Sequence, residues 1–140
     1  MEKFKSTQVA VGIVYNTDGH IFIAKRAAHV PQGSLWEFPG GKVEQGETVY
    51  EALCRELAEE IGIKVRAAKP FYSVEHSYAA KKVLLEIWQV QAFTGEAHGR
   101  EGQPWLWVSP DELKDYEFPK ANDAVLKLLT PVNKNKISNN

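Results

Sequence analysis

The sequence predicts a mixed α/β fold in which a central mixed β-sheet is sandwiched between helices. Strand-like and helical patterns follow one another in the order β-β-α-β-β-β-α along the 140 residues. The hydrophobic content of 44% is enough for one core, but at this length it is too small for two well-packed cores. We therefore predict a single domain over residues 1–132, followed by a flexible polar tail over residues 133–140.

Two strand-like runs, residues 9–15 and 21–26, open the domain. The Asp18-Gly19 step between them is a strong signal for a hairpin turn, so we expect these strands to form an antiparallel pair. Residues 27–38 contain proline and glycine and have no periodicity, which is typical of a loop.

A helix is predicted from Thr48 onward, with Gly62 at a position where helices commonly stop. Its apolar residues repeat at helical spacing and form a stripe that can pack on a sheet. This stripe consists of Tyr50, Leu53, Cys54, Leu57 and Ile61.

The second half of the chain adds three strands, which are predicted at residues 71–75, 83–93 and 105–108. The long apolar run in the second of them favours a central, buried strand. A short helical turn then begins at Ser109, which caps it, and Pro110 occupies its first helical position. A last helix is predicted over residues 123–129, after an Asn122 cap.

Composition excludes several classes of protein. With a net charge of -1, the protein lacks the broad basic surface that binds polymeric nucleic acid. Cys54 has no partner for an intrachain disulfide, and the amino terminus lacks the apolar core of a secretory signal, which predicts a cytoplasmic protein. No apolar run approaches the roughly 20 residues of a membrane span. We expect a monomer that acts on a small anionic molecule.

Glutamates crowd the loop and helix between Gly41 and Ile63, and they lie at positions 44, 47, 51, 56, 59 and 60. At helical spacing, Glu56 and Glu60 lie one turn apart and Glu59 sits beside them, so the three project from one side of the helix. The ordinary interpretation of such a trio is a solvated acidic face.

Two physical objections weaken that ordinary interpretation. Glu59 and Glu60 occupy the last helical turn, where the helix dipole disfavours each negative charge by roughly 0.3 to 1 kcal/mol. No lysine or arginine at the usual spacing neutralises Glu56 or Glu60, although Arg55 could reach Glu59 or fold back toward Glu47. A divalent cation would remove the conflict, and oxygen ligands in this number suit Mg²⁺ or Mn²⁺.

The full pattern is Gly41, five residues, Glu47, seven residues, Arg55-Glu56-Leu57, one residue, Glu59-Glu60, one residue, Gly62-Ile63. It resembles the Nudix box of hydrolases that cleave a nucleoside diphosphate linked to another moiety. The resemblance implies attack of water on a phosphorus atom, with divalent ions bound to the phosphates. It implies Glu56, Glu59 and Glu60 as metal ligands, the Gly40 carbonyl as a further candidate, and Glu47 with Arg55 as a brace for the corner between loop and helix.

Four segments outside the box resemble the MutT proteins within that family. They are Arg26, Glu37-Phe38-Pro39-Gly40-Gly41, Glu101-Gly102-Gln103-Pro104 and Phe118-Pro119-Lys120-Ala121-Asn122. The resemblance implies hydrolysis of 8-oxo-dGTP to 8-oxo-dGMP and pyrophosphate, which keeps the oxidised base out of DNA. It also implies that Glu101 joins the metal site, and that either Glu101 or Glu56 is the general base.

The same resemblance implies four substrate contacts. The Asn122 amide, which both donates and accepts hydrogen bonds, would read the 6-oxo and N7-H edge of 8-oxoguanine. Arg26 would donate to the substrate and Phe38 would form an apolar wall for the base. Lys81 stands where relatives can place an arginine, and it cannot offer the planar fork of a guanidinium. The structural alternatives are a helix cap for Asn122, a solvated Arg26 and a core role for Phe38.

Two other functions stay open at this stage. The box specifies the chemistry and not the base, so the substrate can be another nucleotide, such as an oxidised or modified cytidine triphosphate. A domain of this family can also bind a nucleotide without hydrolysing it, although every acid of the box is present here.

Overall fold

A computed structural model describes residues 5–26, 33–78 and 80–130. The predicted tail over residues 133–140 and the first half of the predicted loop, residues 27–32, lie outside these ranges. The strands are β1 (Lys5–Val14), β2 (Ile21–Lys25), β3 (Trp36–Glu37), β4 (Gly40–Lys42), β5 (Lys64–Tyr78), β6 (Lys81–Thr94) and β7 (Trp105–Val108). The α-helices are α1 (Val49–Ile61) and α2 (Asp123–Leu129), and two short 3₁₀ helices cover Pro110–Asp115 and Lys120–Asn122.

The strands form two sheets in this part of the chain. The first is mixed and has the order β4-β1-β6-β5, with β1 parallel to β6 and antiparallel to β4. The second is antiparallel and has the order β3-β2-β7. The predicted α/β class with a mixed sheet is confirmed, and the second sheet is an addition to it.

The predicted hairpin between the first two strands is wrong. The chain does reverse at Asn16, whose Oδ1 accepts hydrogen bonds from the backbone N–H groups of Asp18 and His20 at 3.0 and 2.9 Å. However, β1 and β2 belong to different sheets, and in the described chain a single bridge between Tyr15 and Ile21 joins them. The turn signal predicted correctly that the chain reverses, but it did not predict which strands pair with β1. Strand β2 cannot pair along β1 because β4 and β6 occupy its two edges.

Several strand boundaries also differ from the prediction. The two-residue strand β3 falls in the predicted loop, since it is too short to show a period. The prediction for β5 covered only residues 71–75, because shifts of register between Val65 and Tyr72 interrupt its alternation. The internal position of β6 is confirmed, but of its described residues only Ile87 and Val90 are buried.

Helix α1 has the ends that the sequence predicts. Thr48 Oγ1 accepts from the Glu51 backbone N–H at 3.1 Å, and Glu51 Oε1 accepts from the Thr48 N–H at 2.9 Å, which is a capping box. Gly62 ends the helix in the left-handed conformation, with φ 73°. The predicted apolar stripe needs one correction, because Tyr50 is 38% exposed.

Helices cover both faces of the strands, as predicted. Alternate residues of β1 point in opposite directions, so Ala10 and Val14 pack toward α1 while Val11 and Ile13 pack toward α2. Each fully buried side chain of this size contributes roughly 1.5 to 3 kcal/mol to folding. Two apolar clusters therefore hold the strands in place between α1 on one face and α2 with the first 3₁₀ helix on the other.

The predicted cap at Asn122 is wrong as far as its side chain is concerned. Asn122 precedes α2, but it has helical backbone angles and, in this described segment, makes no capping hydrogen bond. Its Nδ2 instead lies 3.4 Å from the Pro119 carbonyl oxygen. The amide is thus not used to cap α2.

In the described ranges, no helix is both long and apolar enough to cross a bilayer.

Candidate active site

An arginine and a glutamate join the glutamate-rich loop to α1. Arg55 donates from Nε and Nη2 to the two carboxylate oxygens of Glu47, at 2.7 and 2.9 Å, and from Nη2 to the Lys42 carbonyl at 3.0 Å. This bidentate pair, together with a hydrogen bond from the Glu44 N–H, lowers the pKa of Glu47 to about 2. The corner between loop and helix is therefore fixed by charge-assisted hydrogen bonds.

Arg55 contacts Glu59 as well as Glu47, as predicted, and it also contacts Glu56, which was not predicted. Its Nη1 donates to Glu56 Oε2 at 2.9 Å and lies 3.7 Å from Glu59. The Arg55–Glu56 contact was not predicted because the spacing rule for helices considers only residues one turn apart. Arg55 and Glu56 are consecutive residues, and the long arginine side chain reaches the Glu56 carboxylate.

Glu56 and Glu60 form a pair of neighbouring carboxyl groups at the centre of the box. Burial, and after it the charge of Glu56, raise the pKa of Glu60 to about 8, against a hydrogen bond from the Gly40 N–H at 3.3 Å. Two partly buried carboxylates side by side repel each other when both are ionised. A cation between them would relieve that repulsion.

Two adjacent glycines bring β4 against this pair. A Cβ at Gly40 would overlap the Ala10 carbonyl of β1, so glycine is required there by the strand pairing. A Cβ at Gly41 would overlap the carboxyl group of Glu56, so glycine is required there by the acid itself. The backbone of β4 and the Glu56 carboxyl thus lie in direct contact.

The remaining acids lie at the margin of the pair. The Glu59 side chain is 59% exposed, and Glu101 lies in the segment between β6 and β7. In the described ranges, no three ligand-type side chains already converge closely enough to hold an ion. Even so, the donors fit a hard divalent cation, because carboxylate and carbonyl oxygens are its preferred ligands and the Glu56–Glu60 pair carries charge in need of compensation.

Two cavities open beside the acids. The first, of about 390 Å³, has four polar side chains among its lining residues, and the others are apolar residues and glycines; it is lined by Val9, Val11, Arg26, Glu37, Phe38, Gly40, Gly41, Lys42, Leu85, Pro119, Ala121 and Asn122. The second, of about 450 Å³, is lined mainly by charged and amide residues, which are Lys25, Arg26, Glu37, Glu60, Glu101 and Gln103, together with Gly102 and Pro104. They share two residues, so the cavities are neighbours.

The shared residues are an ion pair. Arg26 Nη1 donates to Glu37 Oε1 at 3.0 Å; burial raises the pKa of Glu37, and the contact with Arg26 offsets only part of that rise. The pair lies at the boundary between the two cavities. Sequence analysis named Glu37 only as part of a motif and predicted no role for it. The feature that could have identified it is an acidic residue between two aromatic residues, Trp36 and Phe38.

Three of the four predicted substrate residues lie on the first cavity. Phe38 is 5% exposed and stacks on Phe118 with ring centroids 5.0 Å apart, so it belongs to the core and to the cavity wall at once. Asn122 and Arg26 also line this cavity. Lys81 does not line either cavity within the described residues, because it starts β6 at the end remote from Leu85. Sequence reasoning did not single out Lys42 or Gln103.

Comparison with known proteins shows the family to which the chain belongs. The family model described as the NUDIX domain matches residues 10–128, and the chain therefore belongs to the Nudix family. Nudix hydrolases generally act with a divalent metal ion.

Among curated relatives, the chain is 42% identical over 125 residues to the 8-oxo-dGTP diphosphatase of Escherichia coli, covering 89% of this chain and 97% of that protein. It is 36% identical over 117 residues to the CTP pyrophosphohydrolase of the same organism, covering 84% and 87%.

Solved structures give the same fold. A chain from the study of MutT from Aliivibrio salmonicida and Vibrio cholerae matches with a TM-score of 0.80 and 43% identity, over 90% of this chain and 98% of that one. The E. coli ORF135 protein matches with a TM-score of 0.82 and 33% identity, over 95% and 94%.

Proposed function

We propose that this protein is a Mg²⁺-dependent nucleoside triphosphate pyrophosphohydrolase that converts 8-oxo-dGTP to 8-oxo-dGMP and pyrophosphate. The observation that carries the proposal is the adjacency of the two cavities. A space that Phe38 and Asn122 line lies next to a space that Glu60 and Glu101 line, and the Arg26–Glu37 pair belongs to both. A purine base fits the first space and a phosphate chain with its cation fits the second.

Recognition of the base is assigned to Asn122, Phe38 and Arg26. The Asn122 amide can accept from N7-H of 8-oxoguanine and donate to its 6-oxo group, whereas guanine has only an acceptor at N7. Phe38 supplies an apolar face, and its stacking on Phe118 keeps that face in one orientation. Arg26, oriented by Glu37, is a donor at the boundary between base and phosphates. Lys81 is the weakest assignment, because the cavities lie away from its end of β6.

The phosphate end is assigned to the glutamates. Glu56, Glu59, Glu60, Glu101 and the Gly40 carbonyl would hold Mg²⁺, for which Mn²⁺ can substitute. When bound, the ion would neutralise the phosphates and acidify the attacking water. Glu47 and Arg55 would keep the loop and helix in register, and the general base would be Glu56 or Glu101.

The proposal is tested by comparing kcat/KM for 8-oxo-dGTP, dGTP, CTP and oxidised or modified dCTP at saturating Mg²⁺. We expect the oxidised guanine nucleotide to be preferred over dGTP by at least the roughly tenfold to hundredfold that one or two buried hydrogen bonds provide. Equal rates for 8-oxo-dGTP and dGTP would refute it.

A second candidate is hydrolysis of a cytidine nucleotide, which the relative named CTP pyrophosphohydrolase favours. The same comparison decides between the two, since a preference for CTP or a modified dCTP replaces the first proposal with the second. Binding without hydrolysis is the remaining alternative. It would be supported if the unaltered protein and a Glu56→Gln variant both released pyrophosphate no faster than a solution without protein.

A further inference from the structure

The segment between β6 and β7 is attached to the end of α1 that carries the acids. The last turn of α1, which the structure describes in full, has no basic residue. Backbone N–H groups of the segment donate to its free carbonyls, from His98 to Ile61 at 3.1 Å and from Arg100 to Glu60 at 3.0 Å. Arg100 Nη1 adds a hydrogen bond to the Ala58 carbonyl at 2.9 Å. Three hydrogen bonds thus attach the segment to the end of the helix.

Within this attachment, one amide side chain joins the backbones of Glu60 and Glu101, which are two of the three acids that line the second cavity. Gln103 Nε2 donates to the Glu60 backbone carbonyl at 3.2 Å, and Gln103 Oε1 accepts from the Glu101 backbone N–H at 2.9 Å. Glutamine can do both because its amide offers donors and an acceptor on opposite atoms. Neither an apolar residue nor the shorter asparagine can make both bonds from this position.

The backbone around Gln103 is tightly closed, which fixes the amide. Gly102 has φ 88° and its N–H donates to the Gly99 carbonyl at 3.0 Å. A Cβ at Gly99 would overlap the Gln103 carbonyl oxygen. The loop therefore has little freedom to carry Glu101 elsewhere, provided that the amide bridge holds its open end to the helix.

We propose that Gln103 is a positioning residue that fixes the distance between Glu101 and Glu60 and so assembles the metal ligands from two separate elements. It would act through Glu101 and not by contact with the nucleotide. The inference rests on the proposed function in one respect, because it takes Glu101 to be a ligand of the cation. Loss of a residue that orients a metal ligand typically lowers metal affinity by about tenfold or more.

The experiment measures binding of Mn²⁺ alone, without nucleotide, by the loss of the free-ion EPR signal. Gln103→Met should weaken Mn²⁺ binding roughly tenfold. Gln103→Asn, which keeps both functional groups on a shorter side chain, should do the same. The matched control is Gln89→Met. Gln89 lies in β6 and donates to Tyr15 Oη at 2.9 Å, so its replacement should leave Mn²⁺ binding unchanged.

A double-mutant cycle separates positioning from general loosening of the fold. In a Glu101→Gln background, Gln103→Met should have no further effect on Mn²⁺ affinity, because the ligand that it orients is already gone. Under turnover, Gln103→Met should lower kcat for 8-oxo-dGTP with little change in KM. Unchanged Mn²⁺ affinity in both Gln103 variants, or additive effects of the two substitutions, would overturn the inference.

Failure of the proposed function would look different. It would appear as loss of the preference for 8-oxo-dGTP in the unaltered protein, while the Mn²⁺ titrations, which contain no nucleotide, would be unaffected.

Discussion

Asn122 illustrates how a single side chain can have two plausible purposes. Its position before α2 is that of a helix cap, and asparagine is among the best capping residues. The side chain nevertheless lines the first cavity and leaves the helix uncapped. A partly exposed amide in the wall of a cavity favours recognition of a ligand with both a donor and an acceptor.

Replacement of Asn122 tests that role. Asn122→Ala should weaken 8-oxo-dGTP by roughly 1 to 3 kcal/mol in apparent binding, since two hydrogen bonds are lost, and weaken dGTP much less. Asn122→Asp keeps an acceptor for N7-H but loses the donor, so its affinity for 8-oxo-dGTP should lie between those of the unaltered protein and Asn122→Ala. Competition assays with both nucleotides make the measurement. Equal weakening of the two nucleotides would instead indicate a structural residue.

Gly40 and Gly41 are neighbours that are glycine for different reasons. Gly40 is held against the backbone of β1, which cannot move without breaking the strand pair. Gly41 is held against the end of a glutamate side chain, which can move. Identical substitutions at the two positions should therefore have separable effects.

Gly41→Ala should leave the free energy of unfolding nearly unchanged but reduce kcat by roughly 10- to 100-fold, because the Glu56 carboxyl is displaced. Gly40→Ala should instead destabilise the protein by roughly 2 to 4 kcal/mol. Urea unfolding and initial rates for both variants distinguish the cases. If Gly41→Ala unfolds as readily as Gly40→Ala, contact with Glu56 is not what requires glycine there.

At the scale of the element, α1 combines a stable amino-terminal half with a strained carboxyl-terminal turn. The capping box and the buried face made its bounds predictable from sequence, because helix caps and apolar periodicity are local properties. The crowding of Glu56 and Glu60 was also visible as a violation of local rules. The contact of Arg55 with Glu56 was not, since it depends on how an arginine rotamer lies over the loop.

That crowding predicts a dependence of stability on pH in the protein without metal. The pKa of Glu60 is raised from 4.5 to about 8 on folding. This group therefore contributes to the free energy of unfolding fully below pH 4.5, and that contribution is lost as pH rises through 8. Between pH 5 and pH 9 in EDTA, the free energy of unfolding should fall by roughly 2 to 3 kcal/mol from this group, after allowance for partial exposure.

Urea unfolding of Glu60→Gln should lack that part of the decrease. Glu75→Gln, which alters an exposed acid paired with Lys82, is the matched control and should keep it. A slope that is the same in all three proteins would contradict the assignment of the raised pKa to Glu60.

The strands show the limit of local reasoning. The reversal at Asn16 was predicted, but the pairing of β1 with β4 and β6 was not, because those partners lie far along the chain. Likewise, β5 was underestimated, since its bulges break the period of two that identifies a strand.

For the whole molecule, the two apolar clusters on either side of the strands provide the stability. Among the described residues, no polar or charged side chain is fully buried, so the core requires no ion. Removal of divalent metal with EDTA should therefore abolish turnover while far-UV circular dichroism and a cooperative urea transition remain at neutral pH. Added Mg²⁺ should restore the activity. Unfolding on chelation would show instead that the cation is structural.

Residues close together in the chain were enough to predict the α/β class, the bounds of α1 and the family to which the chain belongs, because apolar periodicity, helix caps and the Nudix box are local patterns. Which distant residues meet was set by the tertiary structure alone. It brought Glu101 and Gln103 onto the end of α1, set the Arg26–Glu37 pair between two cavities, and placed Asn122 in the wall of the first of them. The physical reason is that these contacts depend on strand partners and loop closure over separations such as the 11 residues between Arg26 and Glu37 and the 43 between Glu60 and Gln103, where local preferences carry no information.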